Sequence, residues 1–399
     1  MGPGDTTPEN RNVVRDRNRA AVLGAIVTKG PIARSELAEL TGLSQGAVTK
    51  VVAPMIEAGY VVEQEGSSTG AGRPRVPLSV RPDRRFAVGV KVMEREIIGV
   101  VVDLSGRVVA QQRSRLESTE VATVVAGTGD LVRRLLAEDD TFGSRTFDLG
   151  VGLAGQIDND HRTLRSSAML NWQSVPLGAL MEAETGLRTV VENDVNTLAV
   201  AELWFGAGVD MPWFAVVTLG AGIGSALVLD GRVVAGARGA AGELGHLVVA
   251  PGGRSCRCGN RGCLETIASD PAILASIAEA GGPADLDIAG AAELARRGDA
   301  TAAAAFARAG AALGSGIAAL ANLVNPERII LSGEGIVASD LLLSAVRETF
   351  AAQTLPTGGA YELLLRPLPD ETWARGAAAV ALQGIFTGGS NLPGPTRTA

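Results

Sequence analysis

Gly242-Glu243-Leu-Gly-His246-Leu-Val-Val-Ala-Pro-Gly-Gly-Arg-Ser-Cys256-Arg-Cys258-Gly-Asn-Arg-Gly-Cys263-Leu-Glu265 holds all three cysteines of the chain and one of its two histidines. The three thiols fall within eight residues, in a loop rich in Gly and Arg and poor in apolar residues. Three thiolates and one imidazole make the tetrahedral Cys₃His set that Zn²⁺ takes in closed structural sites. Gly259 and Gly262 let the loop double back, so that Cys263 can reach a metal held by Cys256 and Cys258. Two other readings compete. Buried thiols beside an unrelated histidine would not gather in so polar a loop, and a disulfide would leave one thiol over. Zn²⁺ on His246, Cys256, Cys258 and Cys263 is the reading that uses every ligand.

Glu243-Leu-Gly-His246 followed by Cys256-Arg-Cys258-Gly-Asn-Arg-Gly-Cys263-Leu-Glu265 resembles the paired signatures of the ROK family of repressors, open reading frames and sugar kinases, at every fixed position. The resemblance implies that Glu243, His246 and Glu265 contact sugar hydroxyls while His246 and the three cysteines hold a structural zinc. One imidazole can serve both roles because its two nitrogens are separate ligand sites.

The 399 residues leave room for two or three domains. The N-terminus is polar and has no apolar signal core, and the most apolar long segment, Thr301–Val324, is mostly Ala and Gly with Arg308 near its middle. A cytoplasmic protein with no membrane span is expected. Charge is uneven. Residues 1–85 carry twelve Lys and Arg against nine Asp and Glu, whereas the rest carries 24 against 34. An acidic body repels DNA, so nucleic-acid contact is expected from the N-terminal segment.

Residues 1–10 read as a loose tail and 11–80 as a winged helix-turn-helix. Val14, Ala21, Val22, Ala25 and Ile26 recur at helical spacing until Gly30-Pro31. A short helix, Arg34–Leu40, ends at Thr41-Gly42, and Ser44 caps a third, Gln45–Ala58. Ala38 is small where helices cross, Gly42 takes the left-handed turn and Val48 packs back between the helices. Tyr60–Glu63 and Arg75–Leu78 then form a hairpin wing. Such a third helix places its first residues against base edges, here Ser44, Gln45, Gly46, Thr49 and Lys50. Arg73 and Arg75 of the wing suit a narrow minor groove. Pro54 is expected to kink or shorten the helix.

Residues 81–85 read as a linker. Beyond it the chain repeats itself: Gly89–Asp103 followed by Gly106–Ala110, and again Val216–Asp230 followed by Gly231–Ala235, are three-strand meanders. The duplication is legible in the residues. What the resemblance implies for it is an α/β, actin-like (ribonuclease H-like) two-lobed sugar kinase fold over 86–390, with a cleft between lobes. The first lobe is expected at about 86–195 plus the C-terminal helix 374–386, the second at about 196–373, and 391–399 as a frayed tail.

In kinases of that fold the first turn of each lobe cradles phosphate with glycine N–H groups. Gly220-Ala-Gly-Ile-Gly224 keeps the glycines. The other turn, Lys91-Val-Met-Glu94-Arg-Glu96, stands against the family pattern Asp-x-Gly-Gly-Thr-Lys and has lost them, so residues 91–96 read as a degenerate phosphate loop and the chain as no enzyme. Gly150-Val-Gly-Leu-Ala-Gly155 resembles the family's sugar-side turn. Asn193-Asp194-Val-Asn196 resembles its Asn-Asp-x-Asn, placing Asn193 and Asp194 on sugar, with Asp194 at the position of the kinase base. His161 lies in a polar turn and reads as solvated, and Trp172 and Trp204 as core or cleft wall. The function expected is a sugar-responsive transcriptional regulator, a repressor of carbohydrate-utilisation genes, acting on a double-stranded operator as a homodimer or higher oligomer. The alternatives are an active sugar kinase with a DNA-binding appendage, or an unresponsive DNA-binding protein with a vestigial cleft.

Overall fold

Two short-range signals shape the head. The Ser44 hydroxyl accepts from the Ala47 amide at 3.2 Å and opens a helix, and Gly42, at φ 67°, closes the one before it. The computed structural model describes residues 8–65, 76–356 and 361–387. Its first elements are α1 (Pro8–Lys29), β1 (Ile32–Ala33), α2 (Arg34–Thr41), α3 (Gln45–Glu57), β2 (Val61–Glu63) and β3 (Pro77–Val80). The helix-turn-helix stands where the sequence put it. Three details differ. Helix α1 begins inside the expected tail, β1 adds a third strand in the order β1-β3-β2, and α3 runs three residues past Pro54. Proline withholds one amide from the carbonyl a turn earlier, and Val48, Val52 and Met55, all buried, keep the helix seated regardless. Arg73 and Arg75 lie outside the described residues.

Residues 81–85 are a one-turn 3₁₀ helix, Pro82–Arg84, with anchored flanks. Arg84 Nε donates to the Ala58 carbonyl at 3.0 Å, and Arg85 is buried against Asp148. The head core continues into the body: Leu23, Ile26 and Leu37 share one apolar cluster with Ile98, Val100, Ala374 and Leu382.

The chain then runs through β4 (Phe86–Val92), β5 (Glu96–Asp103), β6 (Val108–Arg115), α4 (Val121–Leu136), α5 (Asp140–Arg145), β7 (Thr146–Leu153), β8 (Gln156–Ile157), β9 (Leu164–Ser167), β10 (Trp172–Val175), α6 (Leu177–Thr185), β11 (Arg188–Asn193) and α7 (Asp194–Phe205). The main sheet has the order β11-β7-β4-β5-β6, with β4 antiparallel to β5 and parallel to β7. Every residue of β4 is buried because apolar clusters cover both faces. On one face the C-terminal helix lies against Gly89 and Gly150 so closely that a Cβ at either would strike its backbone. That proximity accounts for Ala374, Ala377 and Ala378.

The remaining elements are β12 (Phe214–Leu219), β13 (Ile223–Leu229), β14 (Arg232–Val233), α8 (Glu265–Ala268), α9 (Asp270–Glu279), α10 (Ile288–Arg296), α11 (Ala300–Val324), β15 (Arg328–Ser332), α12 (Ser339–Gln353), β16 (Glu362–Leu365) and α13 (Glu371–Thr387). Their sheet, β14-β13-β12-β15-β16, repeats the first: an antiparallel meander, then two parallel additions. Helix α11 is long and apolar enough to cross a membrane by composition, but it packs Phe306, Leu313 and Ile317 into this unit's core. The chain divides into one unit that ends at Val209 and resumes at Asp370, and a second, Asp210–Pro369. The division falls after α7 and before α13, two helices that pack on each other.

Candidate functional site

In the second unit the cysteine loop is a β-turned knot. Isolated bridges pair Val248 with Cys263 and Ser255 with Arg261, and Gly262, at φ 74°, turns its backbone against the Ala250 carbonyl, where no side chain fits. The four donor atoms of His246, Cys256, Cys258 and Cys263 lie within 4.8 Å of one another. His246 Nδ1 stands 3.4 Å from Cys256 Sγ, and Cys258 Sγ 3.7 Å from Cys263 Sγ. Bonds of about 2.3 Å to sulfur and 2.0 Å to nitrogen set tetrahedral ligands roughly 3.5–3.8 Å apart, so the cluster fits a metal ion of that kind. The neighbouring sulfurs oppose the ionisation of Cys263. Burial and then the neighbouring sulfurs push Cys263 up to about 12, while the Asn260 amide draws Cys258 down. A divalent cation reverses that opposition.

The other nitrogen of His246 faces away from the sulfurs, with Nε2 3.8 Å from Glu243 Oε2. Burial raises the Glu243 carboxyl, His246 pulls it back and the charge of Glu265 adds to the rise. Glu265, at the start of α8, reaches back to the Ile223 amide at 3.4 Å. Glu243, His246 and Glu265 are therefore brought together beside the Gly220–Gly224 turn. That turn keeps its glycines but is lined by acid: Cβ atoms at Gly220 and Gly222 would meet Glu334 and Glu265.

In the first unit Asn193 and Asp194 stand where β11 becomes α7. Asn193 caps the helix, accepting from the Val195 and Asn196 amides at 2.9 and 3.3 Å, and its own amide donates to the Gly155 carbonyl at 3.0 Å. Its side chain is largely spent on holding the strand end against the Gly150–Gly155 turn. Asp194 Oδ1 accepts from Val195 N at 2.9 Å, and Oδ2 receives the Lys91 ammonium. Both partners are buried, and Lys91 Nζ also sits 4.4 Å from the centre of the Trp373 ring. Sequence reasoning noted Lys91 only as a lost aspartate. Its partner lies 103 residues away, and no local signal announces the pair. The Met93–Arg95 turn is a tight hairpin closed by Met93 N to Glu96 O at 2.9 Å, with Glu94 and Arg95 exposed.

His161 keeps its side chain 42% exposed in the polar turn and also has a partner. Its ring pairs with Glu192 Oε2 at 3.0 Å, which raises the imidazole, and Glu192 Oε1 accepts from the Asn193 amide and from Asn196 Nδ2. A histidine thus adjoins the residues that orient the strand end. Trp172 and Trp204 are both core, and Trp172 Nε1 donates to the Thr119 carbonyl at 2.7 Å.

On the head, Ser44, Gln45, Gly46, Thr49 and Lys50 are all exposed along the first turns of α3. The Ser44 hydroxyl is engaged in the cap and that of Thr49 donates back to the Gln45 carbonyl at 2.9 Å, leaving Gln45 and Lys50 as the reaching groups.

Comparison with known proteins follows this division. The model of the ROK family matches residues 87–384, and that of the MarR family matches 16–73. The N-acetylglucosamine repressor of Escherichia coli O157:H7 is 28% identical over 387 residues, covering 95% of each chain. A glucokinase of Thermotoga maritima is 33% identical over 284 residues, 67% of this chain and 90% of its own. Among solved structures, a ROK family transcriptional regulator described as a homolog of the E. coli MLC protein superposes with a TM-score of 0.80 at 27% identity, over 94% of this chain and 97% of that one.

Proposed function

This chain belongs to the ROK family, and we propose that it acts there as a sugar-responsive, DNA-binding transcriptional regulator, a repressor of carbohydrate-utilisation genes that binds a free sugar without phosphorylating it. The observation that carries the reading is the pairing of Lys91 with Asp194. A general base must take a hydroxyl proton. A proton on Asp194 would set a neutral acid against a buried ammonium and forfeit the pair. As a charged acceptor Asp194 remains able to receive a hydrogen bond from a sugar. The carboxylates of Glu94 and Glu96 would repel a polyphosphate where a glycine turn would hold it. Relatives point the same way: the repressor is matched along its whole length, head included, whereas the glucokinase is matched over two thirds of this chain.

We assign sugar hydroxyls to Asn193 and Asp194 in the first unit and to Glu243, His246 and Glu265 in the second. Zn²⁺ is the ion we assign to His246, Cys256, Cys258 and Cys263. It would supply a redox-silent structural cross-link, and the chain's own part is to present Nδ1 of His246 to the metal and Nε2 to the sugar. Gln45 and Lys50 would read a double-stranded operator from a homodimer or higher oligomer in the cytoplasm, where that DNA lies. Sugar must then bind the DNA-competent and DNA-incompetent states differently to have any effect.

The test is anisotropy of a labelled duplex with the full chain, with and without N-acetylglucosamine, D-xylose and D-glucose, alongside an assay for ADP. One sugar should shift the duplex affinity with no ADP formed, and Lys50→Ala should lower the slope of log affinity against log salt by about one. Sugar-dependent ADP release would overturn the assignment.

A further inference from the structure

The segment between head and body is gripped by the two ends of the strand–helix pair that carries Asn193 and Asp194. At one end, Arg188 opens β11 and places Nε and Nη2 on Asp148 Oδ1 at 2.9 and 2.5 Å. The second oxygen of Asp148 takes Nε and Nη2 of Arg85 at 3.0 and 2.5 Å. Arg85 also reaches the Tyr60 hydroxyl at 3.4 Å, and Arg81 N donates to the Tyr60 carbonyl at 2.8 Å, just beyond the end of α3. At the other end, Phe205 closes α7 with its ring packed on Gly106 and under the Arg375 guanidinium, 4.0 Å away. From the same turn the Leu104 amide donates to the Pro82 carbonyl at 3.0 Å.

We propose that Asp148 is a positioning residue that couples the effector end of β11 to the DNA-reading head, by sharing one carboxylate between Arg188 and Arg85. The inference rests on the reading that Asn193 and Asp194 contact the sugar and α3 the DNA. Three observations carry it. Asp148 and Arg85 have side chains only 2% and 4% exposed, so neither charge has water to fall back on if the other moves. Each guanidinium takes a whole oxygen through two N–H groups, a planar geometry that tolerates little rotation. Asp148 and Arg188 are register partners on the parallel strands β7 and β11, and the same ladder ends at Leu153 and Asn193. A shift of β11 on sugar binding therefore arrives at Asp148 undiluted by any loop. From there Arg85 carries the connection on to the Tyr60 hydroxyl. Contiguity is only the physical route, and coupling is what the measurement must show.

The experiment uses the full chain and two variants, Asp148→Asn and Arg188→Gln, with Arg188→Lys as the conservative control. Hydrogen exchange is followed at the amides of Ala58–Glu63, and anisotropy reports duplex affinity with and without N-acetylglucosamine, D-xylose or D-glucose. Arg188→Gln leaves the Arg85–Asp148 pair in place and touches nothing in the head. It should nonetheless speed exchange at Ala58–Glu63, with Arg188→Lys restoring part of the protection. Asp148→Asn should do so more strongly, and should cut the sugar-dependent change in duplex affinity by about fivefold or more while calorimetric sugar affinity stays within about twofold. A staple that serves stability alone predicts faster exchange confined to β7, β11 and α6, and an unchanged sugar-dependent factor; that outcome overturns the inference. If no sugar moves the wild-type duplex affinity, the functional reading fails, and the exchange measured in Arg188→Gln still decides whether strand and head are coupled. Should Asp148→Asn fail to fold, the two Arg188 variants carry both measurements.

Discussion

The two five-stranded sheets share one strand order and differ at the equivalent turn. In the first unit the β4–β5 turn contains no glycine, and Lys91 in β4 forms a buried ion pair with Asp194 just past the end of β11, two strands away. In the second the β12–β13 turn keeps Gly220, Gly222 and Gly224, yet Glu265 and Glu334 stand against it. Strand order is held by apolar faces such as Val88, Val90 and Val101 in one and Val217, Ile329 and Leu331 in the other, and these tolerate any change in the loops. Turn chemistry has no such protection. At the equivalent position one unit carries a hairpin without glycine and the other a glycine turn with two carboxylates against it.

The largest expected effect falls on the second unit alone. Cys263→Ser should abolish bound zinc, read by atomic emission, and destabilise that unit by on the order of 4 kcal/mol, since structural zinc supplies folding energy outright. Chelation of the wild type should do the same. Unfolding of the first unit, followed by tryptophan fluorescence at Trp172 and Trp204, should hold its midpoint. Loss of both transitions together would show that the units do not stand independently.

The first unit answers to Lys91. Lys91→Met leaves Asp194 buried without its cation and should cost about 3 kcal/mol in urea unfolding. Adding Asp194→Asn to it should recover much of that, because two neutral side chains no longer need each other. Additive losses would mean that the pair is incidental.

These two sites also mark what sequence could and could not deliver. The cysteine cluster was legible because its members are local: three thiols and a histidine fall within eighteen residues, and the fold brings them together. The same holds for the turn between α2 and α3, written in Gly42 at the end of one helix and Ser44 at the start of the next, and for the two meanders, whose alternation repeats. Lys91 and Asp194 are far apart in sequence, as are Arg85, Asp148 and Arg188, and nothing near any of them names its partner. Strand β1 escaped because two residues, Ile32 and Ala33, have no period to read. Helix α7 is buried on nearly every side, so its sequence holds no amphipathic stripe to show which neighbour it packs on.

The smallest effects come from pH, and they separate the units by sign. In the second, burial and then the charge of Glu334 lift Asp270 above the usual carboxylate range, to about 6. The folded state therefore holds that proton more tightly than the unfolded one, and stability should fall as pH rises from about 4 to 6. Asp270→Asn should remove the decline and stabilise the unit at pH 7.5, by roughly 1 kcal/mol once solvent screening is allowed for. In the first unit His161 is raised by a bond to Glu192, not by burial, which works against the rise. Its stabilisation is fully present below about 6.5 and is lost as pH climbs through the raised value. His161→Gln should cost about 0.5 kcal/mol at pH 5.5 and almost nothing at pH 9. Both groups favour acid, but one proton relieves a buried charge and the other makes a bond. Removing the first group should thus strengthen the protein and removing the second weaken it. Thermal unfolding of both variants across this range checks the contrast, and a gain from His161→Gln at low pH would erase it.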